Sequence, residues 1–192
     1  MPKRNPQQPK PETLWMEGLK TVGLSLFLAF GIRAGVAQSF FIPSGSMEPT
    51  LQIDDRLMVD KLSYRFQTPQ RGDIVVFQPP TEALSACGLS PNSHDSFIKR
   101  VVGLPGEKVE VKAGRVYIND RPLAENYLAS KPDYERQAQF IPSNSYLVLG
   151  DNRNNSCDGH EWGFLERDRI IGKAIVRFYP FDRIEIFARD RS

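Results

Sequence analysis

Hydrophobic positions fall into two regimes along the chain. Between residues 22 and 42 they run almost unbroken; after residue 50 they come in short runs separated by turn formers. A helix over the first stretch would be roughly 31 Å long at about 1.5 Å per residue, close to a bilayer core. The pattern therefore predicts a transmembrane helix over residues 21–42. Gly23, Gly31 and Gly35 are tolerated in such a helix. Arg33 costs about 2.5–3.5 kcal/mol if it lies at the bilayer centre, and past the middle its long side chain can reach the interface. The competing reading is a cleaved leader, with Gly35-Val36-Ala37 as a small-residue cleavage site. The proline-rich N-terminal flank carries Glu12 and Glu17, and apolar character resumes at Phe40-Phe41-Ile42, so an uncleaved anchor is favoured.

Beyond residue 50 the runs are short and punctuated, as in β-structure. Strands are expected over 56–59, 74–77, 97–102, 108–111, 115–118, 146–149, 170–178 and 183–187, with 109–111 and 116–118 flanking a glycine-containing hairpin loop. No helical period longer than three turns and no repeat occurs there. Residues 78–96 are polar and rich in Pro and Ser and predict a surface loop. The organisation expected is a disordered tail over 1–20, the span over 21–42 and one mainly β domain over 43–192. Four basic residues precede the span (Lys3, Arg4, Lys10, Lys20), which places the tail in the cytoplasm and the β domain outside it.

Composition changes this picture little. The chain is 40% hydrophobic and 25% charged with a net charge of +2, ordinary for a globular protein and too weakly basic to argue for nucleic acid. Cys87 and Cys157 form no CxxC pair, which argues against a zinc ribbon; in an oxidising compartment they have the option of one disulfide, otherwise they read as small buried hydrophobes. No cofactor or metal is expected: a calcium loop begun at Asp151 would need Gly at its sixth position and has Ser156.

Three segments carry chemistry. Residues 44–51 read SGSMEPTL, a sharp serine-bearing turn at Gly45 stiffened by Pro49. A nucleophilic serine needs a base. The two histidines are His94, in the polar insertion, and His160, two residues after Asp158, so a Ser-His-Asp triad stands as one candidate. The other is a lysine held neutral by burial. Lys99 lies in Phe97-Ile98-Lys99-Arg100-Val101-Val102; alternation groups it with Phe97 and Val101, and Arg100 with Ile98 and Val102. Arg100 cannot lose its proton, so Lys99 is the only base this strand can supply; a strand-edge lysine with its amine in water fits the same pattern. The third segment, residues 150–163, is dense in turn formers and acids and reads equally as an Asx-rich loop.

These segments occur together in an order that resembles the bacterial type I signal peptidases. An apolar span is followed by Ile42 to Leu51, then Arg71-Gly72-Asp73-Ile74-Val75-Val76-Phe77, then Lys99 to Gly106, then Gly150-Asp151-Asn152-Arg153 with Ser156, Asp158 and Trp162-Gly163. The resemblance covers about residues 20–180. It implies an antiparallel β-sheet catalytic domain of the signal-peptidase and repressor-protease type, and a membrane-bound serine endopeptidase that cuts N-terminal signal peptides of secretory preproteins after small residues. Ser46 resembles the nucleophile and Lys99 the general base. Ser44, beside the backbone N–H of Ser46, resembles the side-chain donor of the oxyanion hole, and Ser156 the serine that orients the lysine amine. Asp151 and Asp158 match acids that hold the last segment together. Phe40, Ile42, Met47, Leu51, Phe97 and Ile98 fall in segments that resemble pocket walls for small side chains. One departure stands out: the family usually has Ser-Arg where this chain has Gly159-His160, which makes His160 the expected partner of Asp158 and points to the cyanobacterial and plastid branch. The implied place is the plasma membrane or a thylakoid-type membrane, with the catalytic domain on the periplasmic or lumenal side. A self-cleaving repressor would need a DNA-binding region in place of the span. A non-catalytic anchored domain that only binds exported chains would leave Ser46 and Lys99 dispensable.

Overall fold

The computed structural model describes residues 11–90, 92–93 and 95–187. Twelve strands follow one another as β1 (Ala37–Phe41), β2 (Arg56–Asp60), β3 (Ile74–Phe77), β4 (Phe97–Gly103), β5 (Lys108–Lys112), β6 (Arg115–Ile118), β7 (Arg121–Pro122), β8 (Arg136–Phe140), β9 (Ser145–Leu149), β10 (Leu165–Glu166), β11 (Ile170–Tyr179) and β12 (Glu185–Ile186). All pairings are antiparallel. One sheet has the order β1-β2-β11-β3-β4-β9-β10, with β12 also on β11; the other has the order β7-β6-β5-β8. The mainly β, antiparallel expectation therefore holds.

The strands are set by which side chains can be hidden. β3 is buried along its whole length, so its alternating residues serve two cores: Ile74 and Val76 pack with Ile42, Met47, Leu51, Leu57 and Val59, while Val75 and Phe77 pack with Val101, Tyr146 and Val148. A third core joins the two sheets through Val102, Val109, Val111, Val116 and Leu147. Such continuous apolar runs are what a strand covered on both faces requires.

The N-terminal region departs from the sequence reading at both ends of the expected span. Helix α1 covers Pro11–Gly35, so residues 11–20 are helical, not part of a disordered tail; residues 1–10 lie outside the described residues. Pro11 suits the first helical position, where its missing N–H is needed by no partner. At the other end Ala37–Phe41 leaves the helix and pairs with Arg56–Asp60, and the Val36 carbonyl accepts the Lys61 N–H at 2.9 Å. Hydropathy cannot distinguish an apolar helix end from an apolar edge strand; the ladder offered by β2 decides. Among the described residues no helix is long and apolar enough to cross a membrane. The described apolar side chains of α1, including Trp15, Leu19, Leu26 and Phe27, are exposed.

The expected surface loop over 78–96 is more ordered than its composition suggests. It contains helix α3 (Thr81–Ala86), after the short helix α2 (Ser63–Phe66), and buries Ala83 and Leu84. Cys87 caps α3 and is disulfide-bonded to Cys157, with 5.7 Å between the Cα atoms. The bridge ties this segment to the loop between β9 and α4 (Gly159–Trp162).

Candidate active site

Ser46 and Lys99 meet although 53 residues separate them. Ser46 sits in a 3₁₀ turn, Gly45–Met47, directly after the extended Pro43-Ser44 segment that continues β1. Lys99 is the third residue of β4, opposite Val75. Its Nζ donates to Ser46 Oγ at 2.8 Å and to the Ile98 carbonyl at 3.0 Å. Lys99 is 5% exposed. Burial pushes its amine down to about 8, against the charges of Asp158 and Asp151, which pull it up. The geometry thus selects the buried amine over the solvated one that strand alternation also allowed.

The turn that carries Ser46 is held from below by the loop after β9. Asn152 donates its backbone N–H to the Ser46 carbonyl and its side-chain amide to the Gly45 carbonyl, both at 3.1 Å. Gly150 lies against this turn so closely that a Cβ there would overlap the Ser156 hydroxyl and the Ser46 carbonyl. Its N–H donates to Asp158 Oδ2 at 2.7 Å, and its carbonyl accepts from Arg153 Nε at 3.1 Å. Arg153, 1% exposed, is in turn gripped by both oxygens of Glu125, at 2.5 and 2.9 Å.

The other expected residues fall as follows. Ser44 is exposed, with Oγ 3.5 Å from Ser46 Oγ. Asp151 is fully buried and takes a two-pronged contact from Arg100, 2.8 and 2.6 Å, plus the Thr50 hydroxyl at 2.5 Å. Burial works to lower the Arg100 guanidinium, but Asp151 outweighs it and raises the group above its ordinary value. Asp158 accepts the His160 N–H at 3.0 Å and lies 2.8 Å from His160 Nδ1. His160 makes no hydrogen bond to Ser46; its ring stacks on Tyr134 at 4.0 Å. His94 lies outside the described residues. Ser156 does not hydrogen-bond Lys99: its hydroxyl is buried and has no partner among the described residues. The loop places it on the Gly150 side of the Ser46 backbone, where it adjoins the dyad without touching the amine.

A cleft of about 700 Å³ opens over the dyad. Phe40, Phe97 and Ile98 line it as expected, together with Leu89, Asn155 and the Cys87–Cys157 bridge. Ile42, Met47 and Leu51 do not: all three are core residues, because alternation past the end of β1 and the 3₁₀ turn direct them inward. On the Arg100 side of β4 lies another cavity of about 560 Å³, but its cations are paired, Lys173 with Asp73 and Arg177 and Arg183 with Asp55. No cluster of metal-ligating side chains occurs among the described residues.

Sequence reasoning missed four participants. Arg100 had a usable signal, since a strand arginine among apolar neighbours demands a buried carboxylate. Asn152 and Thr50 lie in segments that carry the resemblance but were given no role there, and Glu125 had no signal.

Comparison with known proteins gives a concordant result. Residues 15–179 match the family model described as signal peptidase, peptidase S26. The chain is 56% identical over 177 residues to signal peptidase I of Leptolyngbya laminosa, covering 92% of this chain and 86% of that one. It is 52% identical over 180 residues to the probable signal peptidase I-2 of a Synechocystis strain, covering 94% and 80%. With the chloroplastic thylakoidal processing peptidase 1 of Arabidopsis thaliana it shares 37% identity over 168 residues, covering 88% of this chain and 49% of that protein.

Proposed function

The chain belongs to the signal peptidase family, peptidase S26, and is a hydrolase of the type I signal peptidase class; from that premise we propose that Ser46 and Lys99 are its nucleophile and general base, acting on signal peptides at a membrane surface. The observation that carries the assignment is the 2.8 Å contact between Ser46 Oγ and a buried lysine amine lowered to about 8.

The chemistry follows from those two atoms. Neutral Lys99 takes the Ser46 proton as Oγ attacks the scissile carbonyl, and the tetrahedral oxyanion is met by the Ser46 N–H and the Ser44 hydroxyl. Lys99 then passes its proton to the departing amine, leaving an acyl ester on Ser46. Water, losing a proton to Lys99, releases the acid product and restores the serine. The walls contributed by Phe40, Phe97 and Ile98 leave space for small side chains. Cleavage of an Ala-x-Ala peptide by the detergent-solubilised chain, beside an inert Ser46→Ala control, tests this. Intact peptide with both proteins would refute it.

Ser44→Ala removes one oxyanion donor. A fall of about 10²–10³ in kcat is expected with little change in KM, because the interaction strengthens only in the transition state. An unaltered kcat would remove Ser44 from the oxyanion hole.

For the membrane, support comes from exposed apolar surface. Besides the apolar side chains of α1, the C-terminal segment exposes Tyr179, Phe181, Ile184 and Ile186, with Phe181 77% and Ile186 75% accessible. We place the apolar part of α1 against the bilayer and Tyr179 and Phe181, with the two isoleucines, at its interface, where aromatic rings are enriched. A fragment over 36–192, which keeps β1 where a cut at residue 43 would remove it, should then bind lipid vesicles and gain activity when lipid is added. A fragment that ignores vesicles and works equally well without lipid would leave α1 as the sole attachment.

A further inference from the structure

Behind the Ser46–Lys99 pair lies a second polar arrangement that the proteolytic cycle does not use. Asp158 is fully buried, and its charge acts on the Lys99 amine, favouring the protonated form. Its Oδ2 is occupied by the Gly150 N–H, and its Oδ1 faces His160 Nδ1 at 2.8 Å. No other cation contacts that carboxylate among the described residues. The outer part of the imidazole borders a polar cavity of about 340 Å³, so protons reach it from solvent without passing through the catalytic cleft.

The groups around the ring are few. Asp158 and Glu161 face it from its own segment, with Glu161 Oε1 3.6 Å from Nε2. Tyr134 stacks on it, and burial raises the phenol far above its usual range, so that ring stays neutral. Arg136 of β8 donates to the carbonyls of Gly159 and His160, at 2.6 and 3.4 Å, rather than to Asp158. Asp133 and Arg153 line the same cavity, Arg153 already being paired with Glu125. Of these, His160 alone combines direct contact with Asp158 and a charge that histidine ordinarily changes near neutral pH.

We propose that His160 is a positioning residue of variable charge that, through Asp158, sets how readily Lys99 takes the Ser46 proton. With the imidazole neutral, the full Asp158 charge holds the proton on Lys99. With the imidazole charged, Asp158 is compensated and the amine gives up its proton more easily. The sign is fixed: charge on His160 extends activity toward acid, and its loss withdraws activity toward alkali.

The inference rests on Lys99 as the base, and the test separates the two. The acid limb of kcat/KM on an Ala-x-Ala peptide is measured for the full chain in detergent, for wild type, His160→Gln and His160→Arg. Glutamine can donate to Asp158 without charge; arginine supplies a permanent charge, and the adjoining cavity leaves space for it. The arginine limb should lie below the glutamine limb by roughly half to one pH unit, with wild type between the two. Superimposed limbs, or the reverse order, overturn the inference and leave the dyad intact. A folded His160→Gln protein as inactive as Ser46→Ala at every pH overturns both, in favour of a histidine base. His160→Asn against His160→Lys repeats the comparison with different shapes, should either first variant fail to show a cooperative thermal transition.

Discussion

Ser46→Ala and Lys99→Ala are each expected to lower kcat on an Ala-x-Ala peptide by on the order of 10⁶, and the double variant to be no worse than either alone. Residues that act as one unit lose their contribution together. In this protein the unit is a single contact, Nζ to Oγ at 2.8 Å, made by a lysine that is 5% exposed. Lys99→Arg keeps the charge and roughly the length of the side chain, but a guanidinium does not give up its proton, so it should remain as inactive as Lys99→Ala. Thermal unfolding distinguishes chemistry from collapse: all four variants should retain a cooperative transition. An active Lys99→Arg enzyme would rule out a lysine base.

The largest stability effect is expected far from the cleft, at Glu125→Ala. Glu125 is the sole carboxylate contacting Arg153 among the described residues, and the Arg153 side chain is fully buried. Removing it strands a buried cation, which typically costs 3–5 kcal/mol, or roughly 6–20 °C in Tm for a domain of this size. Activity should suffer as well, because the same guanidinium holds the Gly150 carbonyl and Gly150 sits against the Ser46 turn. Glu125→Gln keeps acceptor and volume and should fall between. A Tm for Glu125→Ala within about 2 °C of wild type would show that Arg153 finds solvent instead, as surface substitutions do.

The parts of the fold that were legible in the sequence are those dictated by local burial. The β2, β3, β4, β5, β6, β9 and β11 strands follow apolar runs bounded by turn residues. β8 was missed because Arg136–Phe140 is mostly exposed and polar, and exists only because β5 offers it a partner. β1 was mistaken for helix for the related reason that its hydrogen bonds are made to β2, which no hydropathy window sees. The site divides the same way. Ser46 and Lys99 were only candidates in their local settings, a serine turn and a strand lysine; the order of the four segments singled them out. The assignment of Ile42, Met47 and Leu51 to the pocket failed because a resemblance in sequence marks a segment, whereas the direction of each side chain depends on where a strand ends. Asn152 and Glu125 act through distant pairing and left no local trace. His160 was visible by its departure from the pattern the resemblance implies, and Gly159 shows what accompanies it: a Cβ there would press on the Val148 carbonyl at 2.8 Å, so this packing has no space for a side chain.

The passage from helix α1 to the nucleophile is a stiff one. Five paired residues of β1, about 17 Å at roughly 3.3 Å per residue, separate the end of α1 from the Pro43-Ser44 segment, and each is registered against β2. A flexible tether would let Ser46 sample many heights above whatever surface α1 occupies; a hydrogen-bonded ladder fixes one. The strand thus works as a gauge: it holds the Ser46 turn at one distance from the residue where α1 ends. Its length tolerates no single-residue edit, because a slip of one position would turn Phe40 and its neighbours to the opposite face of the sheet.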